Sequence, residues 1–141
     1  MTPTQVSLVQ DSFAKVVPIV DQAAVIFYDR LFAIAPQVKP LFKGDMATQR
    51  RALMGTLGVV VNGLSNLPTV LPAASALAKK HVGYGVEASH YSAVGAALLW
   101  TLEKGLGEAW TPEVASAWTD AYGTLSNFMI GEAYGQQAAA E

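Results

Sequence analysis

Three side chains in this sequence stand where they could do chemistry: His81, Tyr28 and Gln49. His81 sits in "AKKHVGYG" (78–85), where Leu71, Ala74, Leu77, Ala78 and His81 follow steps of three and four residues. Such steps place residues on one helix face. An imidazole at the end of a face of small apolar residues can ligate a metal. It can equally be a hydrogen-bonded core histidine, or a cation favoured by the negative end of the helix dipole. Tyr28 shares a face with Ala24, Leu31 and Phe32, so its hydroxyl needs a partner. A backbone carbonyl would satisfy it, and so would a ligand in a pocket. Gln49 lies one turn before Leu53 on an otherwise apolar stripe, unless its place in the first turn keeps it wet.

The elements that must position these groups all read as helices. Thr2-Pro3-Thr4-Gln5 fits a capping box with proline at the first helical position. The helix it opens carries Val6, Val9, Phe13, Val16 and Val17 until Pro18 interrupts. A second helix is expected from about Val20 to Ala35, broken by Pro36, with a tight helical turn through "PQVKPLF" ending at Phe42. The polar "KGDMAT" connects to a third helix over about 48–64, which "SNLP" should end and recap into a fourth over about 69–82. Gly83 and Gly85 read as a stop after His81. A fifth helix is expected over about 89–106. Thr111-Pro112 starts a sixth that runs to about Ala133, and "GQQAAAE" reads as a frayed tail. No segment sustains the period-2 alternation of a strand. Trp100, Trp110 and Trp118 read as packing residues. The expectation is one all-α domain over residues 1–141, with about seven helices of unequal length.

Composition narrows the chemistry. There is no cysteine, so disulfides, thiolate zinc sites, iron–sulfur clusters and covalent C-x-x-C-H haem attachment are excluded. H-E-x-x-H does not occur, and no phosphate-binding glycine loop follows a strand. The net charge of −2 gives no overall basic excess for nucleic acid. "MTPTQVSLVQ" lacks a basic region followed by an apolar run, and the longest uninterrupted apolar stretch, "AVGAALLW", is far short of a bilayer, so no membrane insertion is expected. A cytoplasmic protein is the expectation. An inward histidine and two inward polar groups on three helices, without cysteine, suggest a haem pocket.

In order and spacing, the residues resemble single-domain bacterial haemoglobins related to the flavohaemoglobins. The resemblance runs over nearly the whole chain. It is carried by "IFYDRLFAIAPQVKPLF" (26–42), "QRRAL" (49–53), "NLPTVLPAASALAKKHVGYGVEASHYSAVGAALL" (66–99) and "AWTDAYG" (117–123). It implies a three-on-three helical sandwich, the globin fold, around non-covalent haem b. It also implies His81 as proximal iron ligand, Tyr28 and Gln49 as the distal pair, Leu53 as an apolar distal wall and Phe42 against the porphyrin. Tyr91 would hydrogen-bond the proximal histidine, and Lys80 would reach a haem propionate or else be solvated. In one place the chain departs from the family. Relatives often carry a glutamate 11 residues after the tyrosine matching Tyr122, whereas Glu132 here comes one residue early and position 133 is Ala. One residue turns a helix by about 100°, so either the last helix shifts or the contact of Glu132 with His81 is altered.

The resemblance further implies reversible O2 binding of high affinity, with NO and CO as further ligands. Nitric oxide dioxygenase activity would need a separate reductase, since the match leaves no room for a flavin domain within 141 residues. The chain is expected as a monomer or homodimer. The alternatives are an electron-transfer b-type cytochrome, with Met46, Met54 or His90 as second axial ligand, and a haem-based or haem-free sensor domain.

Overall fold

The structure, a computed structural model, describes residues 2–42, 44–83 and 85–140, without the side chains of residues 83 and 134–140. Six α-helices follow one another: α1 (Pro3–Val16), α2 (Val20–Ile34), α3 (Met46–Gly63), α4 (Leu67–Gly83), α5 (His90–Leu106) and α6 (Pro112–Ala140). Short 3-10 turns at Val17–Ile19, Pro36–Leu41, Leu64–Asn66 and Gly107–Ala109 join them, and no strand occurs among the described residues.

Local chemistry explains most boundaries. The Thr2 hydroxyl accepts from the Gln5 amide while the Gln5 side chain accepts from the Thr2 amide, which satisfies two orphan donors of α1. Pro36 ends α2, because the residue before a proline is driven out of the α region; Ala35 is found at φ −141°. Asp45 caps α3 by accepting from the amides of Ala47 and Thr48 at 3.3 Å. The expected break at "SNLP" is instead a single 3-10 turn, so residues 46–82 form one helical run. By length and composition alone that run is apolar enough to cross a membrane, which no uninterrupted apolar stretch is. The stop after His81 also falls later than expected. Gly83 stays helical, and the left-handed residue is Gly85 at φ +90°. α6 continues to Ala140, past the end expected near Ala133.

The helices form two layers, α1, α3 and α4 against α2, α5 and α6. The tightest pairing, α2 on α5, is reinforced by Trp100, whose indole carries Arg30 at 4.0 Å and Lys104 at 4.5 Å. Between α1 and α6 the buried Trp118 Nε1–H donates to Ser12 Oγ at 2.8 Å, and Ser12 donates back to the α1 carbonyls.

Buried apolar side chains fall into two clusters. The larger joins α1, α2, α3, α5 and α6 through Val9, Phe27, Leu31, Val61, Leu102 and Trp118. The smaller joins α4, α5 and α6 through Ala74, Ala78, Tyr91 and Met129. The boundary between the two clusters forms a seam beside α4. Phe42, Leu53 and Leu57 pack on the larger cluster but stay half-buried, and Leu77 and Val86 do the same on the smaller. A small apolar cavity of about 20 Å³ lies between Leu64, Leu67 and Ala121 of the larger cluster and Leu125 of the smaller, with Val60 and Val70 also lining it.

Candidate cofactor site

His81 projects from the last turn of α4. Its Nδ1 lies 3.3 Å from the Tyr91 hydroxyl, and the two rings are tilted with centroids 6.1 Å apart. No hydrogen bond of Nε2 is found among the described residues. Burial pushes the imidazole below its ordinary pKa, because a charged ring loses hydration. At neutral pH the ring therefore keeps a lone pair available for a metal.

Tyr91 is held in turn from α6. The Tyr122 hydroxyl donates to the Tyr91 carbonyl at 2.5 Å. This approach depends on Gly95: a Cβ there would stand 2.6 Å from Tyr122 Cε2. Burial, and then the neighbouring Tyr91, raise the Tyr122 pKa far above the phenol range, so it stays a donor. Sequence reading passes over Gly95; the available signal was an isolated glycine inside an apolar helical pattern.

On α2, Tyr28 is buried in an aromatic nest. Phe27 meets it edge-on at 4.9 Å and Phe42 at 5.4 Å, and Phe32 lies tilted at 5.8 Å. Burial raises its pKa, opposed by the nearby Gln49 side chain and the charge of Arg50. The phenol is thus protonated at neutral pH. Gln49 is exposed, as its first-turn position allows, yet it stands near Tyr28.

The structure therefore brings the expected residues together in two groups: Tyr28, Phe42 and Gln49 with the α2–α3 connection, and His81 with Tyr91. The groups meet where the turn after His81 touches the Pro36–Leu41 segment. A Cβ at Gly85 would lie 3.3 Å from Leu41. Leu53 is half-buried on the larger cluster, and Lys80 is exposed beside His81. Glu132 is exposed on α6, while the next residue, Ala133, packs on the smaller cluster. Among the described residues, no hydrogen bond or ion pair of Glu132 is found. Of the residues considered as second ligands, Met54 is buried within the larger cluster and Met46 is half-buried. His90 is occupied, its Nδ1 accepting from the Glu87 amide at 3.1 Å.

No group of three or more His, Cys, Asp or Glu side chains able to hold a bare metal ion occurs among the described residues. A single neutral imidazole suits an iron whose other donors come from a macrocycle. The divided core and its half-buried seam suit a flat apolar group of that kind. The residues present thus fit a haem held by His81.

Fold and site define a two-layer helical sandwich with His81 at the end of α4, held against Tyr91. The globin family model matches residues 25–129, and the chain belongs to the globin family. It is 35% identical over 108 residues to a flavohemoprotein of Rhodopirellula baltica, covering 74% of this chain and 26% of that protein. It is 35% identical over 117 residues to a flavohemoprotein of Bordetella parapertussis, covering 81% and 29%. With the Bacillus subtilis flavohemoprotein it shares 32% over 108 residues, covering 74% and 27%. The chain thus spans between a quarter and a third of the length of these curated relatives. Among solved structures, an engineered carbene transferase from Rhodothermus marinus superposes with a TM-score of 0.85 at 23% identity, covering 100% of this chain and 99% of that one. The chain is thus a globin related to the globin part of flavohaemoproteins.

Proposed function

We propose that residues 1–141 form a single cytoplasmic haem b domain that binds O2 reversibly with high affinity and, supplied with electrons by a separate reductase, detoxifies nitric oxide. The observation that carries this reading is the division of labour within the site. One side offers the neutral imidazole of His81 set against Tyr91, and the other a buried, protonated Tyr28 beside Gln49. The family match and the flavohemoprotein relatives support it.

A bound haem would supply a ferrous iron with affinity for O2, CO and NO, and the redox chemistry that turns nitric oxide into nitrate. His81 would hold that iron through Nε2, its ring angle set by Tyr91. Phe42 and Leu53 would pack on the ring, and exposed Lys80 is placed to meet a propionate. The Tyr28 hydroxyl would donate to negative charge developing on a diatomic ligand, with Gln49 orienting it. In a pocket that excludes water, such a bond adds about 1.5–3 kcal/mol. By the relation of tenfold per 1.4 kcal/mol, that slows ligand release by roughly one to two decades.

Against the cytochrome reading, Met54 is packed into the core and His90 is tied to its own turn, which leaves half-buried Met46 of the three candidates. The proposed activity is tested by stopped-flow mixing of the oxygenated protein with nitric oxide. Rapid formation of ferric protein and nitrate is expected, and a persistent oxygenated spectrum would refute it.

A further inference from the structure

The charges of this chain are unevenly distributed. Of nine basic residues, six lie within residues 39–80, against one acidic residue there, Asp45. The remainder of the chain holds three basic and ten acidic residues. A molecule with a formal charge of −2 therefore carries a strongly cationic segment, and that segment borders the site.

The described members of this set lie on the elements that carry the site. Lys39 lies on the Pro36–Leu41 turn, exposed, with its Nζ 5.9 Å from the Phe32 ring that packs on Tyr28 and Phe42. Arg50, half-buried, is close enough to Tyr28 for its charge to act on the phenol. Arg51 is exposed and donates to Thr48. Lys79 and Lys80 are exposed beside His81 on α4. Lys39 and Arg50 thus stand by the Tyr28 group, with Arg51 next to Arg50, and Lys79 and Lys80 stand by His81; the two groups approach at the Leu41–Gly85 contact. Asp45 and Glu87 are the acidic groups on the connections next to these elements. Asp45 caps α3 and lies in the field of Arg51, and Glu87 approaches His90 at 3.7 Å. Two haem propionates would offset part of this charge and leave a cationic surplus. The basic residues elsewhere do not extend the patch: Arg30 and Lys104 stack on Trp100, and Lys15 lies on α1.

We infer that this cationic rim is the docking surface for an acidic electron-donor protein. The inference rests on the functional reading above, since a haem that is oxidised in each turnover must be reduced again. In each encounter the donor's reduced flavin would lose one electron and ferric iron would gain it, with no atom transferred. A negatively charged donor would be repelled by most of this acidic chain and drawn to its one cationic end. Docking there would bring the donor to the edge of the seam. Oriented charge of this kind acts chiefly on the encounter rate, by roughly 10- to 1,000-fold, and weakens with ionic strength.

The test uses the full chain loaded with haem in its ferric form. Chemically reduced flavodoxin, an acidic flavoprotein, serves as donor, and the methyl viologen radical cation as the oppositely charged control. Reduction by flavodoxin should slow about tenfold between 10 and 150 mM salt, as roughly expected when screening shortens the reach of the field. Reduction by the viologen should not slow. The double variant Arg51→Glu/Lys79→Glu should lose about tenfold in the flavodoxin rate at low salt, as expected for steering charges of this strength. Lys15→Glu/Lys104→Glu, with the same change in total charge, should stay within about twofold. Calorimetry at low salt should show flavodoxin binding that the first pair abolishes and the second retains.

Equal effects of the two pairs, or a flavodoxin rate indifferent to salt in the unaltered protein, would overturn the inference. So would tight binding to phosphatidylglycerol vesicles with none to flavodoxin, which would make the rim a membrane surface. The Soret band and CO binding are read on every sample. A chain that takes up no haem would sink the functional reading and this inference together, whereas a CO-binding protein with salt-indifferent reduction would sink only the docking surface.

Discussion

The hydroxyl of Tyr122 donates to the carbonyl of Tyr91, and the hydroxyl of Tyr91 in turn stands 3.3 Å from Nδ1 of His81. Two tyrosines on different helices thus set the angle of the one imidazole that could hold a haem iron. The space for this relay comes from Gly95, where α5 lets the Tyr122 ring against its backbone. Gly95→Ala would place a methyl group 2.6 Å from that ring. Overpacking of this kind costs about 1–3 kcal/mol, and it should appear as a lower midpoint in urea unfolding. Tyr122→Phe should lose less, about 1 kcal/mol for one hydrogen bond.

The distal half makes a kinetic prediction. Tyr28→Phe preserves the aromatic nest with Phe27, Phe32 and Phe42 and removes only the hydroxyl. Flash photolysis or O2 displacement should show release faster by roughly one to two decades. A change within about twofold would mean that Tyr28 is only a packing residue. Gln49→Leu should have a smaller effect of the same sign, because the amide acts through Tyr28.

A buried pair away from the site predicts stability alone. In Ser12→Ala the Trp118 indole N–H would lose its partner inside the core. An unsatisfied buried donor costs about 1–3 kcal/mol. The loss should be visible in chemical denaturation, with the ligand-release rate unchanged.

Acid should weaken the folded chain through His81. Burial lowers its folded pKa below the unfolded value, so below about 6.5 the unfolded state binds more protons and stability falls with falling pH. Above that range the ring is neutral in both states and makes no further difference. Urea unfolding of the haem-free protein between pH 7 and pH 5 should show the decline, and His81→Leu should flatten part of it.

Much of this arrangement is legible in the sequence, and the reasons are local. Thr2–Gln5, Pro36 and Thr111-Pro112 mark helix boundaries because caps and prolines act within a few residues. The face carrying Ala74, Ala78 and His81 follows from helical periodicity alone. What depends on distant chain is harder to read. The "SNLP" segment could be a break or a bridge, and packing of Leu64 into the larger cluster makes it a bridge. The Tyr122–Gly95 approach joins α6 to α5 through a residue with no side chain to signal it. Glu132 shows the value of register: one residue of rotation leaves the carboxylate in solvent and puts Ala133 on the smaller cluster.

The central claim is that His81 holds a haem whose opposite face is open to diatomic ligands. It is tested most directly by titrating the purified chain with haem, reducing it and adding CO. One haem per chain, a large Soret shift on CO addition, and loss of both in His81→Ala are the predicted results. A chain without a Soret band, or a reduced six-coordinate spectrum unmoved by CO, would contradict it.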